Sequence, residues 1–419
     1  MKKQKMTNFW AICVILVVGI SVFVYFFDFK SEVSGQPLAI DTYATNESVS
    51  TLSISMNTFA FDMYRAFSQD NAGNVFFSPY SLFVALSMTY EGARNNTALE
   101  MQNVLHFPQN NDTALCSFGK IYNLLNQDKE YILNTANALW IQENYPFLDE
   151  YLKFLNHYYM ARATNVNFTH AEDSAQMIND WVEKNTHGKI VDFLDSNDIH
   201  PLTKMILTNA IYFKGLWKTP FDSEKTQEQE FEISPAASIM VPMMHSSSEM
   251  ACNYTETETM QILEIPYQGD MLSMVILLPK NTDINTVEQI ITYRNFSEWK
   301  TSFTQREVRV ALPAFKLETR YQIKNYLMDM GMVTPFTYDA DFSGMTGSDE
   351  LYIEKVVHQA VVEVNEKGSE AAAATSVHMA SKIVIDFVSF EADHPFIFII
   401  QHKETGTILF MGKIQNPLE

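Results

Sequence analysis

Ser369-Glu-Ala-Ala-Ala-Ala-Thr-Ser-Val-His-Met-Ala-Ser-Lys382 follows the strand-like run Val361–Val364 and the turn Asn365-Glu-Lys-Gly368. The stretch admits three local readings. Alanine is the best helix former, so a short helix is one; a polar linker is a second. Alternation supplies the third. Ser369, Ala371, Ala373, Thr375, Val377 and Met379 make one face without charge, while Glu370, Ala372, Ala374, Ser376, His378 and Ala380 make the other. Such a segment can lie exposed as a loop and still enter a β-sheet with its small, uncharged face inward.

Short β-branched or aromatic runs bounded by turn residues dominate the second half of the chain. They are Ala210–Phe213, Met274–Leu278, Val308–Leu312, Val361–Val364, Ile383–Phe390 and Phe396–Ile400. Helical spacing of apolar residues marks Met56–Ser68, Ser81–Glu91 and Ala175–Thr186 earlier on, and Ile323–Met330 late. Ser78 or Ser81 suits a helix cap. Helices gather early and strands late without strict alternation, which is the pattern of an α+β fold.

The chain has 419 residues, 47% hydrophobic and 19% charged, a globular balance able to bury a large core. Fifty acidic against 29 basic residues give a formal charge of -21, which argues against a nucleic-acid surface. Cys13, Cys116 and Cys252 cannot make a disulfide framework; Cys116 and Cys252 could pair, or serve as small buried hydrophobes. No metal-ligand spacing occurs, and neither a metal nor a cofactor is expected.

Lys2, Lys3 and Lys5 precede an uncharged, mostly apolar run over residues 9–27. Its length suits either a signal peptide or an uncleaved signal anchor, with the remainder of the chain on the far side of the membrane. Six Asn-x-Ser/Thr sequons, at Asn46, Asn95, Asn111, Asn167, Asn253 and Asn295, agree with export and are the candidate glycosylation sites. The expected organisation is a leader over 1–28, a polar tether over 29–49 and a folded domain over 50–419. An extracellular location, secreted or anchored to the outer membrane face, follows.

At this point the residues meet a known pattern. Gly368–Thr375 resembles the hinge of the inhibitory serpins, and the resemblance runs over Met56 to Leu418. Asn74-Val-Phe-Phe-Ser-Pro-Tyr-Ser81, Asn209-Ala-Ile-Tyr-Phe-Lys-Gly-Leu-Trp217, Leu312-Pro-Ala-Phe-Lys316, Phe390-Glu-Ala-Asp-His-Pro-Phe-Ile-Phe398 and Phe410-Met-Gly-Lys-Ile-Gln-Asn-Pro417 match family segments in the family's order. The resemblance implies a monomer with three β-sheets, eight to nine helices and a reactive-centre loop over about residues 366–388. A target serine protease would attack that loop as substrate and form an acyl-enzyme. The freed loop would then insert into the central sheet and trap the protease.

The resemblance also assigns residues. Glu366, Gly368, Ser369, Glu370, Ala371, Ala372, Ala373, Ala374 and Thr375 would form the hinge. Ser78, Ser81, Asn209 and His358 would form the shutter, a polar cluster where the sheet parts, and Trp217 would mark the breach where the loop first enters. In this family the scissile bond lies about fourteen residues beyond the hinge glycine, which gives Lys382–Ile383. Lys382 is the only Lys or Arg from Gly368 through His402, so a trypsin-like protease, whose pocket ends in a buried Asp, is the expected partner. Met379–Ala380 and Ser381–Lys382 remain alternative bonds. No catalytic motif of the hydrolase-elbow, zinc-protease, phosphate-loop or dinucleotide type occurs, so an enzyme is not expected. A non-inhibitory serpin acting as a carrier is the alternative function.

Overall fold

The computed structural model describes residues 38–108, 114–127, 130–369 and 387–419. The apolar run 9–27, the sequon at Asn111, the hinge positions from Glu370 to Thr375 and the expected bond Lys382–Ile383 lie outside the described residues.

Helix α1 (Asn46–Asp70) opens on a capping box. Thr45 Oγ1 accepts the Ser48 N–H at 3.1 Å, and Ser48 Oγ accepts the Thr45 N–H at 2.9 Å. Two donors otherwise orphaned at a helix start are thereby satisfied. The helix thus begins ten residues before the helical spacing from Met56 suggested. The folded body starts earlier still, because Ala39 is buried and hydrogen-bonded to Asn123. Residues 38–49, expected as tether, therefore belong to the folded body.

Helix α2 (Pro79–Gly92) starts from the cap Ser78, with proline at its first position, where no N–H is needed. It is apolar on nearly all sides, and all but two of its residues are buried. That is the mark of a helix enclosed in the core rather than laid on its surface.

A six-stranded sheet carries the hinge. Its members are β1 (Tyr131–Gln142), β2 (Arg162–Val166), β3 (Met205–Leu216), β4 (Phe315–Gln322), β5 (Lys355–Asn365) and β6 (Gly368–Ser369), in spatial order β4-β5-β6-β3-β1-β2. β5 reads Lys-Val-Val-His-Gln-Ala-Val-Val-Glu-Val-Asn without alternation because both faces are covered. On one face the helix Ala171–Asn185 sets Ile178 and Val182 into a buried cluster with Ala136, Ala138, Trp140, Val357 and Val361. On the other lie α2 and the main core, where Phe76 stacks on Phe398 and Phe410 at 5.9 and 5.5 Å. Each buried aromatic contributes about 1.5–3 kcal/mol, so the core needs no covalent staple.

The remaining strands form a ten-stranded sheet. Strand Thr304–Pro313 pairs with Met250–Glu256 over its first half and with Ala237–His245 over its last residues. It is shared by two of the three expected sheets, and hydrogen bonding therefore runs through them as one. Ten α-helices occur among the described residues, the shortest being Ser343–Thr346. Cys116 and Cys252 are both free and buried. Burial, reinforced by Glu264 and Glu307, pushes the Cys252 thiol up to about 12, which leaves it inert.

Candidate functional site

β3 and β5 meet along a seam in the middle of the central sheet. Over Ile206–Tyr212 and Lys355–Val361 the two strands pair directly, in parallel. Above that stretch they diverge, and β6 lies between them. Val364 and Asn365 of β5 face Ser369 and Gly368, which in turn face Gly215 and Leu216 of β3. The turn Glu366-Lys367 thus folds the chain back so that the first two residues after it are already lodged in the sheet.

Gly368 is required there. Its φ is +150°, and a Cβ at this position would stand 2.1 Å from the Gly215 carbonyl oxygen. Ser369 is fully buried, its hydroxyl 2.9 Å from that of Tyr267. Burial holds the Tyr267 hydroxyl well above its ordinary pKa, so it stays protonated and available to this bond.

Trp217 anchors the mouth of the seam. Its ring stacks on Tyr267 at 4.6 Å and 13°, and its indole N–H donates to the Asn365 carbonyl at 3.0 Å. The Trp217 backbone N–H donates to Lys367 O at 2.9 Å. Glu366 is held as well: its carbonyl accepts from the Phe221 N–H at 2.8 Å and its carboxylate from the Thr226 hydroxyl at 2.7 Å. The turn is therefore fixed while the seam below it stays closed.

The four expected shutter residues meet at that closed part, joined by one that the sequence did not disclose. His358 on β5 faces Asn209 on β3. The Ser78 backbone N–H donates to His358 Nε2 at 3.0 Å, so the proton sits on Nδ1 and is donated to Asn209 Oδ1. The Asn209 amide then donates to Ser81 Oγ at 2.6 Å and to Asn137 Oδ1 at 2.5 Å. Ser81 Oγ completes the ring by donating to Asn137 Oδ1 at 3.0 Å. Ser78 Oγ donates to Leu409 O at 2.6 Å and also caps α2.

The donors and acceptors of this chain of bonds are consistent only with a neutral imidazole, since His358 Nε2 accepts the Ser78 N–H. Burial lowers the His358 pKa to about 3, outweighing the opposing bond to Asn209. Asn137, on β1 opposite Asn209, is the residue sequence reasoning missed. Nothing in the strand's sequence singles it out, since Asn134 and Thr135 beside it are polar too.

The central seam thus holds the first residues of the segment after the turn Glu366-Lys367, above a buried polar cluster, in a mixed α+β fold. Similarity to known proteins gives the family. The model of the family Serpin (serine protease inhibitor) matches residues 54–417. Serpin B6 of Macaca fascicularis is 40% identical over 368 residues, covering 86% of this chain and 98% of its own. An uncharacterized serpin-like protein of Thermococcus kodakarensis is 40% identical, covering 86% and 85%. Among solved structures, Serpin48 of the insect Tenebrio molitor superposes with a TM-score of 0.78 at 31% identity, covering 87% of this chain and 98% of that one. The chain belongs to the serpin family.

The same relatives correct the expected location. Serpin B6, leukocyte elastase inhibitor and the archaeal serpin-like proteins are of the intracellular type, which overturns the extracellular placement drawn from the N-terminus. Among the described residues no helix is long and apolar enough to cross a membrane. Four of the six sequon asparagines make side-chain hydrogen bonds in the fold. Asn95 donates to Asp341, Asn167 to Glu143, Asn253 to Glu264 and Asn295 to the Ile290 carbonyl. Asn46 is the first residue of α1.

Proposed function

We propose that this serpin is a single-use inhibitor of a trypsin-like serine protease, cleaved at Lys382–Ile383 and then self-inserted between β3 and β5. The observation that carries the proposal is the register of β6. Ser369 faces Gly215 on one side and Val364 on the other, both antiparallel. Six residues further along the same register, Thr375 would face Asn209 and His358, six residues back along each neighbour. The uncharged face beginning at Ser369 would then turn toward the core, and a threonine hydroxyl would arrive where the shutter bond is broken. Strands in a sheet stand about 4.7–4.9 Å apart, so a strand between them would separate His358 from Asn209 beyond direct contact.

The energetics favour this direction. Insertion exchanges one direct strand pairing for two, and about ten additional ladder bonds at roughly 0.5–1.5 kcal/mol net supply on the order of 10 kcal/mol. The inward face contains no proline or charge to oppose it. One relative, leukocyte elastase inhibitor, bears a protease inhibitor's name.

The bait bond is tested by mass spectrometry of the C-terminal peptide released by trypsin. The expected peptide starts at Ile383, and Lys382→Gln abolishes both the peptide and inhibition. A peptide starting at Ala380 or Lys382, or inhibition retained by the variant, refutes the assignment.

A further inference from the structure

Residues 38–41 occupy a groove built to hold an extended backbone. Its floor is the helix Ala114–Gln127, and its far wall is the single π turn Leu155–Tyr159. Asn123, 2% exposed, grips Ala39 from both sides: the Ala39 N–H donates to Oδ1 at 2.9 Å, and Nδ2 donates to Ala39 O at 3.0 Å. Nδ2 also reaches Asp41 Oδ2 at 3.2 Å. The Ile40 N–H donates to His157 O at 2.8 Å. At Gly119 a Cβ would stand 2.2 Å from the Ile40 carbonyl oxygen, so only glycine lets the two backbones approach. A buried amide that bonds the backbone on both sides, set one turn from an obligatory glycine, is a specific seat rather than a chance contact.

Both walls of the groove lead into the central sheet. The helix Ala114–Gln127 precedes β1, and the Tyr131 hydroxyl at the start of β1 donates to Leu125 O at 2.7 Å. The π turn precedes β2, and its Tyr159 ring packs 4.8 Å from Phe118 of the helix. β1, β2 and β3 form the half of the sheet that must part from β4 and β5 when a strand enters the seam. The helix Ala114–Gln127 is also tied to α1, the Ser117 hydroxyl donating to Ser48 Oγ at 2.8 Å, and Phe67 of α1 stacks on Tyr321 of β4 at 4.3 Å. A brace from that helix to the π turn therefore links the β2 end of the parting half to the half it parts from, and resists sheet opening.

We propose that residues 38–41 are a strap that holds the loop-expelled form, so that traction on the N-terminal segment, or its loss, releases the sheet to accept its strand. The proposal rests on the loop-insertion reading above, and the test separates the two.

In the full chain, Ala39→Pro with Ile40→Pro removes both N–H groups that the strap donates. Gly119→Ala is then made in the natural chain and in the proline pair. Alanine is the better helix former, so it should raise the denaturant midpoint where the strap has left and lower it where the strap must be displaced. A rise in both backgrounds overturns the strap.

The second readout is the rate at which a synthetic peptide of residues 369–381 anneals into the uncleaved protein. The proline pair should accelerate it about tenfold, the effect of two lost hydrogen bonds of ordinary strength. An unchanged rate beside a sign inversion at Gly119 leaves a structural clasp and overturns the regulatory role. No annealing in either chain refutes loop insertion itself, and this proposal with it.

Discussion

Replacing Thr375 by valine isolates the step at which the shutter is remade. In the closed sheet His358 Nδ1–H donates to Asn209 Oδ1, and the remaining atoms of the cluster are satisfied by Ser78, Ser81 and Asn137. An inserted strand parts His358 from Asn209 and leaves one buried donor and one buried acceptor. The Thr375 hydroxyl can accept from the first and donate to the second. Valine keeps the shape and the β-branching but does neither, and each orphaned buried group costs about 1–3 kcal/mol. The inserted form should therefore lose about 2–4 kcal/mol, allowing for relaxation, whereas the uncleaved form loses nothing. The assay is urea unfolding of each protein before and after proteolysis of the loop. The natural protein should gain markedly on cleavage, and Thr375→Val should gain less while starting from the same midpoint. Equal gains would refute the register, and a lowered starting midpoint would show that Thr375 acts in the uncleaved form.

Three further outcomes follow from the same geometry. His358 titrates near 3 in the fold against an ordinary value of about 6.5, so the unfolded chain binds the extra proton between these values and stability falls as pH drops below 6.5. By pH 5 this one group costs about 2 kcal/mol, to be read as the pH-dependent difference between the natural protein and His358→Asn in thermal melts. Asn137→Ala strips the Asn209 amide and the Ser81 hydroxyl of a shared acceptor and should destabilise the uncleaved protein by about 1–3 kcal/mol in urea; no change would remove Asn137 from the cluster. Gly368→Val places side-chain atoms where the Gly215 carbonyl stands and should expel β6, turning the inhibitor into a substrate that trypsin cleaves without forming a complex. Retained inhibition would show that hinge docking at Gly215 is dispensable.

Much of the seam could be read from residue types, and the reasons it stopped are physical. Small alternating residues from Ser369 onward are visible in one dimension because a strand's period is two. Ser78, Ser81, Asn209 and His358 were identifiable only through their surrounding motifs, since each alone is an ordinary cap or core polar residue. Asn137 and Tyr267 were invisible because their roles depend on which strand lies beside which: Asn137 matters through its register with Asn209, and Tyr267 through its contacts with Trp217 and Ser369. The strap was misread as tether for a similar reason. Ala39 and Ile40 carry no helical or strand period of their own, and the Asn123 amide that seats them is 84 residues away from Ala39. The merged sheet was hidden because Thr304–Pro313 changes partner along its length. The location failed because a lysine-flanked apolar run and a set of sequons are patterns of composition, which relatives of known type outweigh.

Cleavage of the loop by a serine protease that is then trapped is tested by mixing the full chain with trypsin. The expected product is a complex that survives denaturing electrophoresis at the summed mass of the protease and the cleaved inhibitor. A released peptide beginning at Ile383 should accompany it. Quantitative cleavage at that bond with free, active trypsin and no such complex would contradict the trapping.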